Sequence, residues 1–359
     1  MPARGDLHDF EPPRRRRFWL QSLSSGFVTF VIIGLLALLG GVWAYESAGP
    51  AARSGPATTV ILRKGAGVSE VASDLANAGV VRSAALFVAA AEITRAAPHL
   101  KAGEYAFLSH ATLAQVIHKI RTGDIVHHRI TIPEGLTSQQ AVDILNASDV
   151  LVGQAPTPPE GSLLPETYEV TRGEQRATVL QKMMDARDRL VSTLWAHHKP
   201  NLPIDTVDQA VTLASIVEKE TALPGERPRV AAVYMNRLRL GMKLQADPTV
   251  IYGVTGGAPL GRGILESELE APNPYNTYVN VGLPPGPIAN PGRASLAAVM
   301  DPPDTKELYF VADGTGGHVF AETYDEQAQN VARWRQIEKD RAVAETVPPL
   351  PLAHLSEHR

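Results

Sequence analysis

The 359-residue chain contains no cysteine. No disulfide can staple it, so its fold must rest on buried apolar surface, and a chain of this length has enough to bury. The lack of cysteine agrees with an exported protein without establishing export. A strong charge of either sign is also missing. The formal net charge is −4 and no basic stripe follows the arginine run at Arg14–Arg17, so nucleic acid is not an expected partner. No G-x-G-x-x-G, P-loop or H-E-x-x-H motif occurs, which leaves dinucleotide, nucleoside triphosphate and zinc-protease chemistry without a foothold. Nor is there a strand–helix–strand alternation long enough for a doubly wound sheet.

One long apolar run is present. Phe18 to Tyr45 carries no charge, and Gly26 to Tyr45 is almost wholly apolar. About 20 apolar residues suffice for a helix to cross a bilayer core. Four arginines precede the run and Glu46 follows it, which predicts a cytoplasmic N-terminus and an extracytoplasmic bulk. Trp19, Trp43 and Tyr45 stand near the ends, where amphipathic rings favour the interface. A cleaved signal peptide is the competing reading. Its apolar core is usually about 7–15 residues, and "AYESAGPAA" is a weak cleavage site.

The expected organisation is a cytoplasmic tail (1–17), an anchor (18–45), a flexible Pro/Gly-rich stalk (46–58), a small module (59–150), a larger domain (151–340) and a Pro-rich disordered tail (341–359). In 59–150 a strand–turn–capped-helix pattern recurs. Ser69, Thr112 and Thr137 are the expected caps, and Gly123 the stop of the middle helix. The second region reads as helices to about Leu240, loops and short strands to about Thr323, with a hairpin in "LYFVADGTGGHVFAETY", and then a final helix. The fold class is α+β. The module resembles the LysM type, which binds N-acetylglucosamine-containing glycans; a mere spacer is the plainer alternative.

"VTLASIVEKE" holds the most informative carboxylates. At about 3.6 residues per turn, Leu213, Ile216, Val217 and Glu220 share one apolar stripe, whereas Glu218 falls roughly 200° away and is expected in solvent. A carboxyl among aliphatic groups loses hydration on ionising, so its pKa rises toward that of a working general acid. A salt bridge from Glu220 to an arginine such as Arg237 is the structural alternative. Further on, "LQADPTVIYG" and "NPYNTYVNVGLPPGPIANPGRASLAAVMDP" supply tyrosines and asparagines suited to sugar faces and hydroxyls. Prolines stiffen the second stretch. His318, beside the glycine-rich turn, is read as structural. Asp247 could equally begin a Pro-started helix.

Together "ASIVEKET", "ERPRVAAVYMNRLRLGMKLQADPTVIYG", "YNTYVNVGLPPGPIANPGRASLAAV" and "LYFVADGTGGHVFAETYDEQAQNV" resemble the endolytic murein transglycosylase (YceG-like) family, over about residues 59–335. The resemblance implies Glu220 as the catalytic residue, with Gln245, Asp247, Tyr275, Asn276 and Tyr278 as candidates for the substrate groove. It implies no cofactor and no metal. The implied reaction cuts the β-1,4 bond from N-acetylmuramic acid to N-acetylglucosamine in nascent peptidoglycan strands and leaves a 1,6-anhydro end. The implied location is the inner (plasma) membrane, beside peptidoglycan synthases. One departure is visible: "LLPETY" has Glu166 where many members have an aspartate, so a role for Glu166 is in doubt. Two rivals are a non-enzymatic peptidoglycan-binding scaffold and a hydrolase using Asp247 or Glu166 as a second carboxylate.

Overall fold

The computed structural model describes residues 15–346, with side chains from 27 to 342. The expected cytoplasmic tail before Arg15 and the end of the expected disordered tail lie outside the described residues. The chain divides into two compact units after Val126.

The first unit begins with helix α1 (Arg15–Glu46), whose Phe27–Glu46 stretch is long and apolar enough to cross a membrane. Strand β1 (Ala57–Leu62), helices α2 (Val68–Asn77) and α3 (Ala84–Ile93), strand β2 (Gly103–Leu108) and helix α4 (Leu113–Thr122) follow. β1 and β2 pair antiparallel, with Thr59 opposite Ala106. Their inward residues, Val60, Leu62, Tyr105 and Phe107, meet Leu75, Phe87, Val116 and Ile120 in one core. Thr112 and Gln115 form the expected capping box on α4, and Gly123 ends it in the left-handed region at φ 77°, a conformation glycine adopts without a Cβ clash. Ser69 does not cap α2. Gly67 is the N-cap residue there, and Ser69 lies inside the helix, its carbonyl accepting from Ser73 Oγ.

The expected flexible stalk is instead a strap bound to the first unit. Gly49 N–H donates to the His110 carbonyl, and His110 N–H donates back to Pro50 at 3.0 Å. Ala52 N–H donates to Ser109 Oγ at 3.1 Å, and Arg82 Nη2 to the Ala48 carbonyl at 2.8 Å. A Cβ on Gly49 would collide with the Ala111 carbonyl, so only glycine fits that crossing. Composition suggested a free linker, but pairing across about sixty residues of chain is invisible to local composition.

The second unit opens with strand β3 (His128–Thr131) and helix α5 (Ser138–Ala147), which the sequence pattern assigned to the first module. The expected boundary near residue 150 therefore moves to 126. β3 pairs antiparallel with β5 (Thr167–Val170), Ile130 opposite Tyr168. α5, capped by Thr137 as expected, packs on α6 (Arg176–Ala196) through Ala141, Leu145, Val179 and Met183. Two short strands, β4 (Leu151–Val152) and β6 (Glu174–Gln175), pair in parallel.

The main core gathers around α7 (Val207–Glu220), α8 (Arg227–Arg239) and α11 (Arg293–Met300). Between α8 and α11 the expected loops and strands prove to contain α9 (Asp247–Thr255) and α10 (Glu266–Leu269). Pro248 sits in the first turn of α9, where its missing N–H costs nothing. Burial of Val250 and Thr249 then outweighs the extended preference of that β-branched run. The expected hairpin is β7 (Tyr309–Ala312) with β8 (His318–Ala321), followed by α12 (Tyr324–Thr346).

Candidate active site

Residues Ala210 to Val217 of α7 are all buried, so this helix is enclosed on every side and has no solvent face for most of its length. Glu220 is its last helical residue. Its Oε1 accepts a 2.6 Å hydrogen bond from the Tyr234 hydroxyl. Tyr234 comes from α8, is 1% exposed, and rests edge-on against Phe310 of β7 at 5.9 Å. Burial pushes the Glu220 pKa up to about 7, with the negative charge of Asp247 acting in the same direction. The Tyr234 hydrogen bond and the Arg237 charge pull it down without cancelling the rise. The carboxyl thus holds or releases a proton near neutrality.

Among the described residues Arg237 forms no ion pair with Glu220. Its Nε donates to the Leu308 carbonyl and its Nη1 to the Leu244 carbonyl, both at 2.7 Å. It fastens α8 to the segment before β7 and to the approach of α9, and reaches Glu220 only through its field. Burial lowers the Arg237 pKa.

Glu218 departs from expectation. Its side chain is 4% exposed and receives Arg227 Nη2 at 2.9 Å. Its other oxygen accepts from Gly292 N–H and Ser295 Oγ at the start of α11. Gly292 cannot cap α11 with a side chain, and the Glu218 carboxylate supplies the missing acceptor where the helix dipole favours negative charge. Arg227 also reaches Glu134 at 3.1 Å. Two glutamates on opposite sides of one turn therefore differ in kind: Glu218 is a paired structural anion and Glu220 a hydrogen-bonded carboxyl with a raised pKa.

Gln245, Asp247 and Tyr278 are brought together. Gln245 N–H donates to the Thr277 carbonyl, Ala246 N–H to Thr277 Oγ1, and the Tyr278 hydroxyl to Asp247 Oδ1 at 2.5 Å. Gln245 occupies the left-handed region at φ 51°, which costs a non-glycine residue about 1–2 kcal/mol. Such strain is concentrated at functional sites. Burial, Asp247 and Glu220 all push the Tyr278 pKa up, so its hydroxyl stays protonated and able to donate.

Two expected groove residues lie elsewhere. Asn276 is 1% exposed. Its amide nitrogen faces the carbonyls of Glu268, Leu269 and Ala271, and its oxygen accepts from Tyr278 N–H. The side chain is fully engaged by its own loop and shapes the ledge for Tyr278 rather than a ligand surface. Tyr275 packs against Tyr252 of α9 at 4.8 Å. Tyr252 in turn lines a cleft of about 310 Å³ with Lys219, Thr137, Gln140, Pro248 and Leu260. Its lining includes Lys219 and Pro248, the chain neighbours of Glu220 and Asp247, but neither carboxylate itself. Glu166 lies on the surface in an ion pair with Arg293. His318 is held by Glu226, Nδ1 to Oε2 at 2.8 Å, in the structural position expected of it. Tyr234 is the functional candidate that helical periodicity missed. Its only sequence signal is a phenol where an aromatic core position needs no hydroxyl.

An α+β frame that presents one half-buried, hydrogen-bonded carboxyl with a pKa raised to about 7 near a polar ledge is equipped for general acid–base chemistry. The profile of the YceG-like family matches residues 60–333, and the chain belongs to that family. A Bacillus subtilis (strain 168) protein named endolytic murein transglycosylase is 37% identical over 180 residues, covering 50% of this chain and 49% of that protein. A protein of the same name from Streptococcus pneumoniae (strain D39) is 28% identical over 360 residues, covering 85% of this chain and 64% of that protein. The chain thus spans less than two thirds of the length of these relatives. The crystal structure of a YceG-like protein from Listeria monocytogenes, 26% identical, aligns with 77% of this chain and 99% of its own at a TM-score of 0.48.

Proposed function

We propose that this protein is a membrane-anchored lytic transglycosylase that cuts peptidoglycan glycan strands internally, with Glu220 as its acid and base. The observation that carries the reading is the half-buried Glu220 carboxyl, raised to about 7 and fixed by Tyr234. Protonated Glu220 gives its proton to the oxygen linking N-acetylmuramic acid to N-acetylglucosamine, and the bond from that oxygen to muramyl C1 breaks. The muramyl C6 hydroxyl closes on C1 and returns its proton to the Glu220 carboxylate. A 1,6-anhydro end forms, no water is consumed, and the catalyst is regenerated. A pKa near the working pH suits a group that must give and then take one proton.

Gln245, Asp247 and Tyr278 flank the reacting bond in this reading, and the cleft beside Tyr252 receives the neighbouring sugar. Asp247 raises the Glu220 pKa and so keeps the acid protonated. The names of the relatives support the substrate class. Helix α1 is the single-pass anchor, with its arginine-rich end cytoplasmic and the chain after it outside. The first unit holds glycan beside the growing strand ends, in reach of the synthases that extend them.

The experiment is digestion of purified glycan strands by the full-length protein and its Glu220→Gln variant, with products read by mass spectrometry. Anhydro ends from the wild type and none from the variant are expected. Anhydro ends at wild-type rate from the variant would remove Glu220 from the reaction. The proximity of Asp247 supports one second reading, hydrolysis with two carboxylates. It predicts reducing ends heavier by one water.

A further inference from the structure

We propose that helix α3 is an interfacial helix that seats the first unit on the lipid bilayer crossed by α1, a proposal that rests on α1 being the membrane span. The starting observation is chemical. α3 reads Ala84–Ala–Leu–Phe–Val–Ala–Ala–Ala–Glu–Ile93, with Glu92 its one polar residue. Only Phe87 and Ala91 of it are buried. A second apolar stripe, Leu86, Ala89 and Ile93 at i, i+3 and i+7, faces outward, with Leu86 46% and Ile93 83% exposed. A helix on an aqueous surface ordinarily presents its polar residues there. This one exposes its single polar residue, Glu92, at the edge of the outward side, and beside it offers a second apolar face to its surroundings.

Its position identifies the occupant. Trp43 and Ser47, in and just after the last turn of α1, line one small depression of about 100 Å³ together with Arg82, Ser83 and Leu86. The start of α3 therefore stands level with the end of the apolar span. Trp43 is 70% exposed in the protein, the placement of an interfacial tryptophan. The strap holds that geometry: Arg82 Nη2 donates to the Ala48 carbonyl and Gly49 N–H to the His110 carbonyl. A short, hydrogen-bonded connection gives the unit no freedom to lift away from the membrane end of α1. Exposed Arg82 and Arg95 bracket the stripe. Cations beside an apolar face fit the headgroup layer, where the stems bury and the charges meet anionic lipid. The apolar surface of α1 and that of α3 thus form one continuous lipid-facing surface around Trp43.

The absence of cysteine makes a direct test clean. Single-cysteine variants of the full-length protein, Leu86→Cys, Ala89→Cys and Ile93→Cys, receive a nitroxide and are reconstituted in vesicles of phosphatidylethanolamine and phosphatidylglycerol. Leu36→Cys, within the span, and Lys64→Cys, on exposed surface, are the controls. Relaxation enhancement by oxygen and by a water-soluble nickel chelate reports the medium around each label. The expected result is oxygen above nickel at all three α3 positions, as at Leu36, and the reverse at Lys64. Nickel access at Leu86, Ala89 and Ile93 with lipid exposure at Leu36 overturns the seating and leaves the anchor intact. Protection of the α3 labels from both reagents overturns lipid as the occupant and indicates a protein partner. Nickel access at Leu36 overturns the anchor and the seating with it. An unchanged melting temperature in each labelled variant shows that the label itself has not unseated α3.

Discussion

The Tyr234 hydroxyl donates to Glu220 across 2.6 Å from a ring that is itself locked in the core against Phe310. A buried donor on a fixed ring holds the carboxyl in one orientation and favours its ionised form. In Tyr234→Phe that donor is lost and little else changes. Hydrogen bonds to charged groups contribute about 1.5–3 kcal/mol, and one pKa unit is about 1.4 kcal/mol. The alkaline limb of the pH–rate profile should therefore move upward by about one to two units, with kcat reduced below it. A profile that keeps its limb while activity falls would reduce Tyr234 to a packing residue.

The Glu220 pKa also predicts a pH dependence of stability. Its folded value of about 7 lies above the ordinary 4.5, so between these values the folded state keeps a proton that the unfolded chain releases. Stability therefore falls as pH rises through that window, by up to about 1.4 kcal/mol per unit. Glu220→Gln removes the dependence. The variant should match the wild type near pH 4.5 and exceed it by about 2–3 kcal/mol at pH 8. Thermal melts at both pH values read this directly, and an equal difference at the two would contradict the raised pKa.

Glu218→Gln should act the opposite way. It leaves Arg227 with half its compensation in a site 8% exposed and withdraws a charge from the start of α11. Breaking a buried pair costs about 3–5 kcal/mol, and the partial hydrogen bonding left to a glutamine reduces that to about 2–4. A melting temperature lowered by several degrees, beside an unharmed Glu220→Gln protein, is the expected contrast. A silent Glu218→Gln would mean that the network around Arg227 contributes nothing to stability.

Sequence reasoning reached what depends on neighbours in the chain. The Thr112 and Thr137 capping boxes and the hairpin before α12 are local patterns. It failed where distant segments decide. Glu218 looked solvent-facing because periodicity describes one helix in water, whereas α11 covers the far side of α7 and supplies Gly292 and Ser295. Asn276 is a separate case, since residue type suggested a sugar ligand and its amide donates to three carbonyls of its own loop. Tyr234 stands fourteen residues beyond Glu220 on another helix, and no spacing rule connects them. The boundary near residue 150 failed because β3 resembles β1 locally while its partner, β5, comes thirty-six residues later.

The strap carries the last prediction. Gly49 N–H and Ala52 N–H donate to groups of residues 109 and 110, whereas a free linker would leave both amides to water. Hydrogen exchange should therefore find Gly49 and Ala52 protected well beyond the rate of an unstructured peptide. Gly49→Ala drives a methyl into the Ala111 carbonyl, and the strap must release to relieve it. In that variant exchange should quicken by at least tenfold across residues 47–56 while the core amides of β1 and β2 keep their protection. Protease sensitivity should appear around Arg53 at the same time. Fast exchange at Gly49 and Ala52 in the wild type would restore the flexible stalk and remove the rigid link between span and first unit.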